Sequence, residues 1–226
     1  MPGTALITGA GGGLGAAIAE ALAPTYSLLL AGRPSQRLDE LAGRLSAWTW
    51  AVDLADGDRI VPPAGLAELD VLVHNAGVAF PGRVAESTPG QWRTSFEVNV
   101  TGAVALTLAL LPALRAARGQ VVFINSGAGL AASPGLASYS ASKFALRGFA
   151  DSLRADEPLL RVTSIHPGRI DTAMQRALVA YEGRRYDPAE FLSPHTVAGA
   201  VAAAVATPPD GQTQQVVIRP RGPAPR

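Results

Sequence analysis

The stretch Thr8-Gly9-Ala10-Gly11-Gly12-Gly13-Leu14-Gly15 lies between a short apolar run and a segment rich in alanine. The run, Thr4 to Thr8, predicts a buried β-strand, and residues 13–23 predict a helix. Glycines in such a turn adopt backbone angles that other residues avoid, and they let the backbone approach a ligand closely. The first turn of the helix then offers free N–H groups to an anion. A strand, a glycine-rich turn and a helix in this order favour a binding site for the pyrophosphate of a dinucleotide.

The glycines alone leave the register and the ligand open. A loose Gly11-x-Gly13-x-x-Ala16 fingerprint can be read, but so many adjacent glycines match several registers by chance. A flexible glycine-rich turn that binds nothing is the alternative interpretation. The position between a strand and a helix is the more specific signal, and it favours the dinucleotide.

Short apolar runs recur along the chain and predict seven buried strands. They are Thr4 to Thr8, Ser27 to Ala31, Trp48 to Val52, Asp70 to His74, Gln120 to Asn125, Val162 to His166 and Gln215 to Ile218. Helices are predicted between them at residues 13–23, 34–46, 89–117, 137–157 and 194–206. Most runs are nearly continuous in Val, Leu and Ile, which is typical of parallel strands covered on both faces. This alternation predicts an α/β fold with a doubly wound, seven-stranded parallel sheet of the Rossmann type, helices on both faces, and ligands beyond the carboxyl ends of the strands.

The composition fits a single domain spanning residues 1–226. With 48% hydrophobic and 16% charged residues, the chain has enough apolar surface for one core. The net charge of +1 gives no electrostatic preference for nucleic acid or an anionic membrane, so neither is expected as a partner. Cysteine is absent, which excludes disulfides, thiolate metal sites and cysteine nucleophiles. His74, His166 and His195 lack the spacing of metal ligands, so they are interpreted as structural and no metal is expected.

The chain is expected to be cytoplasmic. Residues 1–19 contain no basic region ahead of an apolar one, as a secretory signal requires. The uncharged run Val98 to Leu114 is interrupted by a proline and suits a buried helix better than a membrane span. Near the end of the chain, Arg219, Arg221 and Arg226 are predicted to form a solvated tail.

The second predicted strand ends in Leu30-Ala31-Gly32-Arg33. An NAD site places Asp or Glu at this point, where the carboxylate accepts hydrogen bonds from the ribose 2′-hydroxyl. Arg33 instead offers a planar set of donors that matches a phosphate. The sequence therefore predicts that NADP(H) is preferred over NAD(H). A surface arginine without a ligand is the alternative.

Tyr139 and Lys143 lie four residues apart at the start of a predicted helix, within Ser138-Tyr139-Ser140-Ala141-Ser142-Lys143. This spacing places the two side chains on one face. An ammonium near a phenol lowers the pKa of the phenol, so that a tyrosine can act as general acid and base near neutral pH. The alternative is an amphipathic helix with an exposed lysine. Lys143 is the only lysine among 19 basic residues, which indicates that lysine is chemically required here.

With these motifs in this order, the chain resembles the short-chain dehydrogenase/reductase family over nearly its whole length. Thr8, Gly9, Gly13 and Gly15 match the family's Thr-Gly-x-x-x-Gly-x-Gly loop, which settles the register. His74-Asn75-Ala76-Gly77 is similar to the family's Asn-Asn-Ala-Gly motif, with His in the first place. Asp53-Leu54 resembles the pair whose aspartate contacts adenine. Pro167-Gly168-Arg169-Ile170-Asp171-Thr172 resembles the Pro-Gly-x-x-x-Thr segment that holds the nicotinamide carboxamide.

The resemblance also implies a catalytic set and its roles. The family's catalytic residues correspond to Asn99, Ser126, Tyr139 and Lys143. Ser126 would orient the carbonyl oxygen, Tyr139 would protonate it, Lys143 would bind ribose hydroxyls and lower the tyrosine pKa, and Asn99 would hold a relay water. Together with the residue patterns, the resemblance predicts these cofactor-binding residues: Gly9, Gly11, Gly12, Gly13, Leu14, Gly15, Arg33, Asp53, Leu54, Asn75, Ala76, Gly77, Tyr139, Lys143, Pro167, Gly168, Ile170 and Thr172.

The expected function is that of an NADP(H)-dependent oxidoreductase that interconverts an alcohol and a ketone or aldehyde. Its partner is then a small-molecule alcohol or carbonyl substrate. A regulator that senses NADP(H) without turnover is the main alternative, since a fold does not fix function. A protein-interaction scaffold without a cofactor is a second alternative.

Two further expectations concern association and the substrate. The segment Ala103 to Leu111 is apolar on nearly every face, so the predicted helices 89–117 and 137–157 are expected to pair with a second copy in a homodimer or homotetramer. Residues 169–193 are expected to form a lid over the substrate. Arg169 is hypothesised to pair with a substrate carboxylate. The alternative is that Arg169 reaches only the surface or a cofactor phosphate.

Overall fold

A computed structural model describes residues 2–221 and places seven parallel strands in one sheet. They are β1 (Gly3–Thr8), β2 (Tyr26–Gly32), β3 (Trp48–Ala51), β4 (Val71–His74), β5 (Gln120–Ile124), β6 (Arg161–Pro167) and β7 (Gln215–Ile218). The predicted parallel sheet is confirmed, and no predicted strand end differs from the observed end by more than one residue. The prediction that all seven strands are buried is wrong for β3 and β7, which are the edge strands and are largely exposed.

The strand order β3-β2-β1-β4-β5-β6-β7 creates a crevice beside β1. β1 pairs with β2 on one side and with β4 on the other, so the chain winds outward in opposite directions from this point. In open α/β sheets, ligands bind at such a reversal, beyond the carboxyl ends of the strands. The glycine-rich loop follows β1 and Asn75 follows β4, so both lie at the crevice.

Helices cover both faces of the sheet, as predicted. They are α1 (Gly13–Leu22), α2 (Gln36–Leu45), α3 (Pro89–Phe96), α4 (Gly102–Ala117), α5 (Ala137–Asp156), α6 (Ala173–Tyr181) and α7 (Pro194–Val205). Ile18 of α1, Leu41 of α2 and Val201 of α7 share one core cluster with β1 and β4. Leu110 of α4 and Leu146 of α5 belong to a second cluster on the other face. This arrangement is the doubly wound architecture.

The predicted helix 89–117 is two helices joined by a π-helical turn over Glu97–Thr101. In this turn the Gly102 N–H donates to the carbonyl of Glu97, five residues back. Such a turn accommodates one extra residue within an α-helix and is frequent at functional sites. It turns the Asn99 side chain into the protein, where it is 1% exposed.

Residues 89–117 are also long and apolar enough to cross a membrane by length and composition alone, with a mean hydropathy of 1.7 in one window. Leu106, Leu110 and Leu114 of this stretch are buried in the second core cluster. A core helix passes the same test, so the feature is weak evidence for a span. The expected cytoplasmic location stays a prediction.

Helix α6 was not predicted and lies within the segment expected to form a lid. Thr172 precedes it, and its Oγ1 accepts a hydrogen bond from the Gln175 N–H at 3.3 Å. A threonine followed three residues later by glutamine is a helix-start signal. The sequence therefore contained evidence for this helix.

Candidate active site

A large cavity of about 1060 Å³ opens at the carboxyl ends of the strands. Drug-sized ligands usually occupy pockets of roughly 300 to 1,000 Å³, so a dinucleotide and a small substrate fit together here. All residues predicted to bind the cofactor line the cavity except Gly11. The Cα of Gly11 instead faces Ser35 and Leu38 at the start of α2.

The glycine-rich loop is shaped by close backbone contacts. Gly9 has φ +64°, a conformation that disfavours residues with a side chain. A Cβ on Gly15 would overlap the carbonyl oxygen of Gly9. Helix α1 begins after Gly12 without a side-chain cap and with no acidic residue in its first turn. Its N-terminus therefore suits the anionic pyrophosphate of a dinucleotide.

Asn75 fixes this loop against the end of β4. Its Nδ2 donates to the carbonyl oxygens of Thr8 at 3.0 Å and Gly9 at 3.2 Å. In return, Thr8 Oγ1 accepts the backbone N–H groups of Asn75 at 3.0 Å and Ala76 at 3.1 Å. The two motifs, which are more than 60 residues apart in sequence, thus form one hydrogen-bonded unit.

Arg33 lies at the end of the cavity beyond β2, with Asp53 from the end of β3 also in the wall. Its side chain is exposed, and among residues 2–221 no carboxylate forms an ion pair with it. Asp53 is engaged locally, since its Oδ1 accepts the Ala55 N–H at 3.0 Å. The Arg33 guanidinium is therefore available to an anionic ligand.

The cavity brings Ser126, Tyr139 and Lys143 together, as the sequence predicted. Ser126 follows β5, and its Oγ accepts the Ala128 N–H at 3.1 Å. Tyr139 and Lys143 lie one turn apart in α5, with the Lys143 Nζ 5.6 Å from the centroid of the Tyr139 ring. The same Nζ donates to the carbonyl oxygen of Ile124 at 2.9 Å.

The expected lowering of the Tyr139 pKa is wrong for this structure. Burial raises the pKa of Tyr139 above its usual value of 10.0, and a hydrogen bond with Ser126 only partly opposes this effect. Burial likewise lowers the pKa of Lys143 to about 8. The ammonium is directed at the Ile124 carbonyl rather than at the phenol. Desolvation thus dominates both groups.

Asn99 lies behind the cavity wall rather than in it. Its Oδ1 accepts the Val78 N–H at 2.8 Å, and its Nδ2 donates to the Val78 carbonyl at 2.9 Å and to Ser142 Oγ at 3.0 Å. These bonds tie the segment after β4 to helix α5, which carries Tyr139. Asn99 therefore positions the site, and its role in holding a relay water stays a prediction.

Two of the three histidines have clear structural roles. His74 is stacked on Phe123 and pairs through Nε2 with Thr107 Oγ1 at 2.8 Å. Burial, followed by the charge of Lys143, lowers the pKa of His74 to about 3, so it is neutral. His166 Nδ1 pairs with the carbonyl of Ser126 at 3.1 Å, while Gln215 Nε2 bonds to its other nitrogen at 3.0 Å. His166 thereby holds the backbone of the candidate catalytic serine, which its sequence context did not reveal.

Two arginines other than Arg33 line the cavity. Arg169, which was hypothesised to pair with a substrate carboxylate, lines the cavity, but its Nη2 already donates to both carboxylate oxygens of Glu182 at 2.9 and 3.0 Å. Arg219 was predicted to lie in a solvated tail, and it is exposed, but its guanidinium also packs on Gly127 in the cavity wall. Arg221 is exposed as predicted, and Arg226 lies outside the described residues.

The chain is similar to known oxidoreductases. Residues 3–183 match the family model described as short chain dehydrogenase. Dehydrogenase/reductase SDR family member 7B of Bos taurus is 36% identical, over 88% of this chain and 69% of that protein. An alcohol dehydrogenase from the archaeon Thermococcus sibiricus, complexed with 5-hydroxy-NADP, has a TM-score of 0.86 at 25% identity, with all of both chains covered. The closed form of serine dehydrogenase complexed with NADP+ has a TM-score of 0.84 at 26% identity, over 95% of this chain and 93% of that one.

Proposed function

Because the chain belongs to the short-chain dehydrogenase/reductase family of oxidoreductases, we propose that it uses NADP(H) to interconvert an alcohol and a ketone or aldehyde. The observation that carries this proposal is the convergence of Ser126, Tyr139 and Lys143 on one cavity with the glycine-rich loop. A protein that only senses the nucleotide has no need of the serine and the tyrosine. The substrate is a small alcohol or carbonyl compound.

The chemistry follows from the placement of these side chains. When bound, the reduced nicotinamide supplies the hydride. Ser126 donates a hydrogen bond to the carbonyl oxygen, and Tyr139 transfers its phenolic proton to that oxygen as the carbon is reduced. The raised pKa of Tyr139 keeps the phenol protonated at neutral pH, as a proton donor requires. Lys143, which also lines the cavity, would hold the ribose hydroxyls of the bound cofactor.

The preference for NADP(H) over NAD(H) rests on Arg33. Its guanidinium lies in the cavity wall without a carboxylate partner among residues 2–221. A 2′-phosphate provides a matching anion, whereas a 2′-hydroxyl does not. The structurally similar alcohol dehydrogenase and serine dehydrogenase are both complexed with NADP-type ligands, which supports the same choice.

A screen of aldehydes, ketones and oxo acids tests the function. We expect the absorbance of NADPH to fall with at least one class of carbonyl compound, and NADH to be a poorer reductant. Quenching of tryptophan fluorescence by NADPH without any turnover would favour the sensing regulator. Failure to bind NADPH at all would favour the scaffold.

Association through α4 and α5 is the second part of the proposal. Leu108 on α4 is 61% exposed and Phe144 on α5 is 43% exposed, and both helices pack on the same face of the sheet. Two large apolar side chains exposed on helices of one face of the sheet support an interface there, provided that they belong to one contiguous apolar patch. We therefore propose a homodimer or homotetramer formed across this face.

Leu108→Arg is expected to shift the protein to a smaller species in light scattering, because it places a charge in the proposed interface. Val61→Arg provides the control, since Val61 is 75% exposed outside these helices. A monomeric unmodified protein at micromolar concentration would contradict the proposal. An unchanged mass in Leu108→Arg would place the interface elsewhere.

A further inference from the structure

Arg219 emerges at the same edge of the sheet as the candidate catalytic serine. It directly follows β7, whose Ile218 carbonyl accepts the Gly168 N–H at 2.7 Å. This bond aligns the end of β7 with the end of β6, and β6 in turn pairs with β5, which leads to Ser126. The side chain of Arg219 is exposed, and it lines the cavity beside Gly127 rather than beside the glycine-rich loop.

The guanidinium of Arg219 lies directly on Gly127, the residue after Ser126. A Cβ built on Gly127 would overlap Nη1 and lie 2.8 Å from Cζ and 2.9 Å from Nη2. Gly127 does not have a positive φ, so its lack of a side chain serves to admit this cation. Gly127 is the chain neighbour of Ser126, so the cation lies close to the backbone of the candidate catalytic serine.

The charge of Arg219 is not compensated by the part of the chain that the structure describes. Residues 2–221 include no carboxylate within ion-pair distance of it. Arg169, by contrast, binds both oxygens of Glu182 and also lies 5.4 Å from the centre of the Phe191 ring. To bind a substrate anion, Arg169 would first have to break its ion pair with Glu182. Arg219 has no ion pair to break among residues 2–221.

We propose that Arg219 binds a carboxylate on the substrate, so that the enzyme acts on short oxo acids and the corresponding hydroxy acids. This inference rests on the proposed function, since the carbonyl oxygen is assigned to Ser126 and Tyr139. A guanidinium pairs with a carboxylate through two parallel hydrogen bonds, which fixes the orientation of the substrate. Because Arg219 packs on the residue next to Ser126, the expected substrates are short acids, in which the carboxylate lies close to the carbonyl carbon. Hydride and proton add across the C=O bond, and the carboxylate is unchanged.

The test compares each oxo acid with its neutral methyl ester in Arg219→Gln and in the unmodified enzyme. We expect kcat/KM for the acid to fall about ten- to hundredfold, because charge-assisted hydrogen bonds are lost. The ester, which lacks the anion, should be affected less than about threefold. Arg221→Gln is the matched control, since Arg221 is an exposed arginine two residues further on. It should leave both substrates unchanged.

Other outcomes overturn the inference or assign the role elsewhere. Equal losses of kcat/KM for the acid and the ester would show that Arg219 does not bind the carboxylate. An acid-specific loss in Arg169→Gln but not in Arg219→Gln would move the role to Arg169. Turnover of neutral carbonyl compounds but not of acids would refute the acid class and leave the oxidoreductase function standing.

A binding experiment separates this inference from the proposed function. If no carbonyl compound is reduced, the proposed function fails, and binding of malonate to the complex with NADP+ still tests Arg219. We expect calorimetric binding of malonate to the unmodified protein and its loss in Arg219→Gln. Absence of malonate binding to the unmodified protein, or equal binding to the variant, would refute the site.

Discussion

Tyr139→Phe is expected to reduce kcat by about a thousandfold, within the range that general acid–base catalysis contributes. The phenol lies in the cavity with Ser126, and of the tyrosines among residues 2–221 it alone lines the cavity wall. Phenylalanine keeps the ring and removes only the proton that the carbonyl oxygen must receive. Affinity for NADPH, measured by fluorescence titration, should stay within about tenfold because the glycine-rich loop and Arg33 are untouched.

Tyr26→Phe is the control for this substitution. Tyr26 begins β2, at the opposite end of the sheet from the cavity, so loss of its hydroxyl should leave kcat unchanged. A Tyr139→Phe enzyme that keeps most of its activity would remove this residue from the acid–base role. Loss of NADPH binding together with activity would instead assign it to the cofactor site.

The sheet is predictable because buried parallel strands need apolar side chains on both faces. β4 shows this plainly, since Val71, Leu72 and Val73 are all fully buried. Helix α6 is short and buries only Gln175 and Val179. Its start was nevertheless encoded in the capping pair Thr172 and Gln175. The π-helical turn before α4 has no such local signal, because its shape depends on Asn99 reaching Val78 and Ser142.

The candidate site is only partly predictable from the sequence, because some of its features depend on the packing of distant segments. Asn75 directly follows β4 and Ser126 comes two residues after the end of β5, so sequence order alone brings them to one edge of the sheet. The position of Arg219 depends on the register of β7 against β6, which the sequence near Arg219 does not specify. Desolvation raises the pKa of Tyr139, and the four-residue spacing of Tyr139 and Lys143 in the sequence does not predict desolvation. Contacts between distant segments decide both features.

Arg33→Asp is expected to lower kcat/KM for NADPH by about a hundredfold or more and to raise it for NADH. The substitution removes charge-assisted hydrogen bonds to the 2′-phosphate and puts a repelling carboxylate in their place. The same carboxylate can accept hydrogen bonds from a ribose 2′-hydroxyl, which is why NADH should gain. Steady-state kinetics with both reductants and a fixed carbonyl substrate measure the change in preference.

The comparison needs a variant with the same change of charge nearby. Arg37 is exposed at the start of α2, four residues after Arg33, and it does not line the cavity. Arg37→Asp should therefore lower NADPH use only slightly, through the weakened long-range field, which salt screens. Equal effects of the two substitutions would mean that net charge, rather than a direct contact with Arg33, sets the preference. Equal kcat/KM for NADPH and NADH in the unmodified enzyme would refute the assignment of Arg33 itself, because a guanidinium that binds the 2′-phosphate must distinguish the two.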